Sequence, residues 1–361
     1  MSAEKPRQKL AFIDGLRAVA ALTIVAHHLA FYGPLSDRAH QLAPGPIAFL
    51  FEYGRYAVQI FLVVGGFVMA RHLATLPRLR LPEIGAELWA RYRRIGLPYL
   101  AALVLAIIAN ELARLFMDDA SISAPPTALQ LLAHATFTTH IFGFEALTAG
   151  IWYLGIDFQI VVLLVLLLAL AQRLRPQDPQ PILMAMSAAL AALSLFWLGR
   201  IPALDIWAPY FFASTFLGMA VEWLRKGTLP AWTVGLIGAA LVLAELQQFR
   251  LRLFVSGTTA ILLWAATRWP ALGTFPAQRG VQYLGQTSYA LFLVHFPVCL
   301  LINAVAMRFF DPTPASAWAW MGLAMALSVL AAAVFHAQVE TRILRPRAAQ
   351  AEPRISLPAD A

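Results

Sequence analysis

The stretch Ala11-Phe-Ile-Asp14-Gly-Leu-Arg17-Ala-Val-Ala-Ala-Leu-Thr-Ile-Val-Ala-His27-His28-Leu-Ala-Phe31 decides how this chain is read. It has the length, about 20 residues, that a helix needs to cross a hydrocarbon core about 30 Å thick. Asp14 and Arg17 interrupt it, and no small-residue cleavage site follows Val25 to Tyr32, so it reads as a retained membrane helix and not as a secretory signal. Apolar runs of this kind recur along the chain, near 56–72, 95–116, 151–171, 182–199, 204–224, 231–247, 252–268, 284–308 and 316–339. The fold class expected is all-α: a polytopic integral membrane protein with about ten transmembrane helices. Bends are expected at Gly65-Gly66, Pro209 and Pro297, where neighbouring helices can satisfy freed backbone groups.

Composition agrees with that reading. Of 361 residues 60% are apolar and only 13% charged, with a mean hydropathy of +0.69. A soluble domain carries roughly 25% charged residues. The single cysteine, Cys299, excludes a disulfide framework and any cysteine-built zinc or iron-sulfur site, and no metal site is expected. The net charge of +8 belongs to topology, because no soluble nucleic-acid-binding module accompanies it.

Basic residues stay on the cytoplasmic side of a membrane protein. With the amino terminus inside, 19 lysines and arginines fall on the cytoplasmic side and 7 outside, with Arg17 within the first span. Both termini are therefore expected to be cytoplasmic. The Met117 to Gly150 segment has no lysine or arginine and suits an external loop with a short interfacial helix. Residues 1–344 read as one membrane domain, and 345–361 as a disordered cytoplasmic tail.

An ionisable group at membrane depth is costly, about 2.5 to 3.5 kcal/mol on insertion scales, and so marks a candidate site. Arg17 and His28 are eleven residues apart, which returns them to within about 20° of one helix face and separates them by about 16 Å along the axis. Asp14 lies one turn from Arg17, close enough to pair with it. His27 points about 100° away from His28, so the two are expected to face different surroundings. That stripe fits an elongated ligand with its anionic end at Arg17 and its reacting end at His28, since imidazole takes and returns protons near neutral pH. Acyl-coenzyme A has this shape. Arg71, Arg91, Arg93 and Arg94 fall in the loops around the second and third spans, where guanidinium groups can bind phosphates. Asp157 lies one turn into the fourth span, and Ser288 and His295 share a face of the ninth. Glu340, Glu222, Glu245 and Asn303 fall near span ends and read as structural.

These residues resemble the acyltransferase family 3 of membrane proteins. The resemblance covers nearly the whole chain. It rests on Arg17 and His28 with ten residues between them, on Gln59-Ile-Phe-Leu-Val-Val-Gly-Gly66-Phe67, the Arg91 to Arg94 run, Trp152 to Asp157, and Leu284-Gly-Gln-Thr-Ser-Tyr289 through His295-Phe-Pro297. Two positions depart from the family pattern: Gly65 stands where serine is common, and Asp157 where glutamate is common.

The resemblance implies transfer of an acyl group, usually acetyl, from cytoplasmic acyl-coenzyme A to a hydroxyl of a carbohydrate or lipid-linked glycan exposed at the membrane. It carries functional roles onto Arg17 and His28. The catalytic set expected is His28, Arg17, Asp14 and Asp157. The donor-binding set is Arg17, Arg71, Arg91, Arg93, Arg94, Ser288 and Tyr289, and the setting is a bacterial inner membrane. The rival is a secondary transporter or lipid-glycan flippase in which Asp14, Arg17 and His28 relay protons. Such folds often show two related halves, and none are visible here.

Overall fold

The structure, a computed structural model, describes residues 11–344, so the expected tail at 345–361 lies outside the described residues. The helices in chain order are α1 (Ala11–Phe31), α2 (Pro34–Leu42), α3 (Pro44–Tyr53), α4 (Val58–Leu73), α5 (Leu81–Arg114), α6 (Ala128–Ala135) and α7 (Ile151–Leu174). They continue as α8 (Gln180–Phe196), α9 (Ala208–Lys226), α10 (Thr233–Gln247), α11 (Leu251–Arg268), α12 (Pro270–Gly273), α13 (Arg279–Gln286), α14 (Ser288–Phe309) and α15 (Pro314–Phe335). Among the described residues there is no strand, and the chain is an all-α polytopic membrane protein. Among the described residues seven helices are long and apolar enough to cross a bilayer, with α3 and α4 joined as one of them. The remaining long helices fall short for visible reasons. α10 has only 15 residues, α9 ends on Glu222, Arg225 and Lys226, and α11 carries Arg252 and Arg268.

Two local expectations are corrected. α5 begins at Leu81, well before the apolar run at 95, so Arg91, Arg93 and Arg94 lie within a helix and not in a loop. Pro82 occupies its first turn and Glu83 reaches back to accept the Arg80 backbone N–H at 2.9 Å, the glutamate half of a capping box, which starts the helix where polar residues still dominate. Pro209 sits in the first turn of α9, where its missing N–H is harmless, and so bends nothing. Pro297 does lie inside α14.

In a bilayer there is little hydrophobic force between helices, so close approach of small residues does the packing. α4 and α9 cross at Gly66 and Gly218. A Cβ at Gly66 would overlap the Thr215 carbonyl, and one at Gly218 would overlap that of Val63. α1 packs against α13 and α14, and α14 against α5 and α15, which places α1 and α14 side by side in the middle of the bundle. The 117–150 segment contains the short helix α6, capped by Thr127 and Gln130 and presenting Leu129 and Leu132 outward.

Candidate active site

α1 carries its polar groups at two levels. Near its end, His28 meets His295 of α14: Nδ1 of His28 lies 2.6 Å from Nε2 of His295, with ring planes 5° apart, and both residues are buried. The direction of this bond follows from the next one. His295 Nδ1 lies 3.1 Å from the Leu291 carbonyl, which can only accept, so Nδ1 carries the His295 proton. A neutral His295 therefore offers Nε2 as an acceptor, and His28 donates to it from Nδ1. This leaves the Nε2 lone pair of His28 available for chemistry.

His28 lines a cavity of about 1120 Å³, slightly larger than ordinary ligand sites. His27 lines it too, with ring centroids 5.1 Å from His28, which corrects the expectation that the two face different surroundings. The cavity is wide enough to wrap the end of α1, so a 100° turn does not leave it. His27 spends its Nδ1–H on the Leu50 carbonyl at 2.8 Å. Ser121, Thr139, His140 and Glu145 of the 117–150 segment form part of the wall. Gly150 introduces α7 with φ of 82°, and a Cβ there would fall 2.5 Å from the Phe292 ring.

The second level lies toward the start of α1. Arg17 is half-buried and does not line the cavity of His28. Its charge acts on Arg94 of α5 and Tyr153 of α7, and that of Arg94 is coupled in turn to Arg91, Asp157 and Glu340. Arg91 is ion-paired to Asp157, which ties α5 to α7. Tyr289 donates to the Ile95 carbonyl at 2.5 Å and lies within electrostatic reach of Asp157 and Arg91. The structure thus brings Arg17, Arg91, Arg94, Asp157 and Tyr289 together. Phe292 and Tyr153 link the two levels: their rings are 5.6 Å apart, and Phe292 is 6.3 Å from His295.

The other expected residues lie apart or play different parts. Asp14 is buried at the start of α1, where Gln286 donates to it at 3.4 Å and where a Cβ at Gly285 would overlap its carbonyl. Arg71 is 3.8 Å from Glu222, a fully buried carboxylate also held by Arg225 at 2.6 Å, so Glu222 anchors the ends of α4 and α9. Arg93 is exposed. Ser288 is fully buried, and its hydroxyl has no hydrogen-bond partner. The sequence places His295 beside Ser288 on one face, and its meeting with His28 across 267 residues is visible only in the packed bundle.

The family model for this acyltransferase domain matches residues 10–337, nearly the whole chain and every site residue named in this subsection except Glu340. The chain belongs to acyltransferase family 3. No curated protein and no solved structure matches it. The family 3 acyltransferase thus carries its first-span histidine in a buried dyad at the cavity and its first-span arginine in a charged cluster at the other level.

Proposed function

We propose that this membrane acyltransferase moves an acyl group, acetyl in our reading, from cytoplasmic acyl-coenzyme A to a hydroxyl of a carbohydrate or lipid-linked glycan at the opposite face of a bacterial inner membrane. The observation that carries the reading is the free Nε2 of His28 at the cavity, held in its tautomer by His295. The arginine asymmetry supports a cytoplasmic side for the Arg17 level, where the coenzyme phosphates would meet Arg17, Arg91 and Arg94. The pantetheine arm would then run along α1 past Tyr153 and Phe292 to the dyad.

At the dyad, His28 Nε2 takes the proton of the acceptor hydroxyl as its oxygen attacks the thioester carbonyl. The carbon–sulfur bond breaks, and the coenzyme leaves as the thiol with that proton returned. His295 accepts from the His28 Nδ1–H throughout and shares the positive charge that forms on the ring. Asp14 sits at the entry of α1, and Asp157 holds Arg91 in place for the donor.

The test is comparison of surface glycans by mass spectrometry with and without the chain, joined to a rapid quench of the purified protein with labelled acetyl-coenzyme A and no acceptor. The reading expects one acyl mass on a glycan and no label on the protein. Label on His28 would replace general-base catalysis by an acyl-histidine intermediate, and unchanged glycans would contradict the reading itself.

A further inference from the structure

The cavity that His28 lines has a wall that acyl transfer, as described, does not use. Arg200 closes the turn after α8, Arg250 precedes the first residue of α11, and Arg252 lies in its first turn; all three line the cavity. Arg250 Nη1 is 3.4 Å from the Gly199 carbonyl, and Arg252 donates to that same oxygen. Two guanidinium groups thus share one acceptor. Arg252 is only 9% exposed and stacks on Tyr210, its Cζ 3.9 Å from the ring centroid.

Among the described residues, no carboxylate lies within 4.0 Å of any of the three guanidinium groups. Glu52, Glu145 and Asp205 line the same cavity without pairing with them. Glu245, the nearest acid in sequence, accepts the Arg250 backbone N–H at 3.0 Å instead. The Nε atoms of Arg200 and Arg250 are buried with no partner. Arg250 also donates to the Leu195 carbonyl at 2.7 Å and Arg200 to the Gln247 side-chain oxygen, but tying such neutral oxygens needs hydrogen-bond donors, not three positive charges gathered at the amino end of α11, where the helix dipole adds a fourth positive contribution. Like charges held this close disfavour one another until an anion enters between them.

Resting on the acyl-transfer reading above, we infer that Arg200, Arg250 and Arg252 form an anion subsite for the acceptor. The acceptor is then an anionic carbohydrate, one that bears a phosphate or carboxylate group. The arginines hold that group while a hydroxyl of the same molecule is presented to His28. Guanidinium forks match both oxyanions, and the stacked Tyr210 fixes the plane of one fork.

The experiment uses the full chain in nanodiscs of phosphatidylcholine, with glucose 1-phosphate, glucuronate and glucose as probes in calorimetric titrations. The two anionic sugars are expected to bind at least about tenfold more tightly than glucose, with an advantage that shrinks as salt rises. Arg250→Gln with Arg252→Gln is expected to erase the advantage. Equal binding of the three sugars to the unmodified chain overturns the subsite, and needs no variant to fold. Loss of sugar binding when phosphatidylglycerol is added to the nanodisc assigns the arginines to a lipid headgroup and also overturns it. Thiol release from acetyl-coenzyme A is followed in the same preparation. Release without anion preference contradicts the subsite alone, whereas anion preference without release contradicts the acyl-transfer reading.

Discussion

Nδ1 of His28 and Nε2 of His295 lie 2.6 Å apart, a contact made by α1 and α14 from opposite ends of the chain. Since Leu291 fixes the proton on the far nitrogen of His295, the dyad has one donor direction, and the reactive nitrogen of His28 is set by a residue that need not touch substrate. His295 is therefore a positioning residue. His295→Leu is expected to lower kcat by a loss approaching the ~10² to 10⁴ of general-base catalysis, with donor KM unchanged. His295→Gln, which keeps an acceptor oxygen, should recover part of it. Steady-state kinetics on both variants checks this, and equal loss in both would mean that His295 merely fills space.

Asp157 and Arg91 join α5 to α7 with about a quarter of each side chain, or less, exposed. Removing one partner of a buried pair leaves an uncompensated charge, whereas removing both can be nearly neutral. Asp157→Asn should lower the melting temperature in detergent, and Arg91→Gln combined with Asp157→Asn should restore it. Activity should stay low in the double variant, because the proposed donor cluster then lacks Arg91. Full recovery of activity would reduce the pair to a structural tie.

The 117–150 segment is held by His134, whose Nδ1 lies 2.5 Å from the Tyr99 hydroxyl and whose Nε2 accepts from the Leu147 N–H at 3.3 Å. Burial pushes this imidazole down to about 4. The unfolded chain, with a histidine near 6.5, binds more protons between those values, so this contribution is complete above pH 6.5 and is lost as pH falls toward 4. The full span is on the order of 3 kcal/mol. Melting curves at pH 7 and 4.5 should fall further for the unmodified chain than for His134→Gln, and parallel curves would contradict the linkage.

Most of the fold was legible because a bilayer imposes a length on apolar runs. Apart from the start of the third, every expected span boundary falls within four residues of a helix end. The exception shows the limit of the signal: hydropathy stops where charge begins, but backbone hydrogen bonding in α5 runs on from Leu81 through Arg91 and Arg94. Within the site, Arg17 and His28 could be placed on one stripe because a single helix sets their geometry. The His28–His295 contact and the wall of Arg200, Arg250 and Arg252 depend on which helices pack together, and periodicity within one helix does not encode that. Those arginines entered the sequence reading only as charges on one side of the membrane.

In the proposed function, acyl transfer at the cavity depends on the free Nε2 of His28. Its most direct test is the release of free thiol from acetyl-coenzyme A in the presence of total surface glycans, by the purified chain and by His28→Ala. The variant is expected to melt as the unmodified chain does, to bind donor equally and to lose ~10² to 10⁴ in rate. A folded His28→Ala protein that releases thiol at the original rate would contradict it.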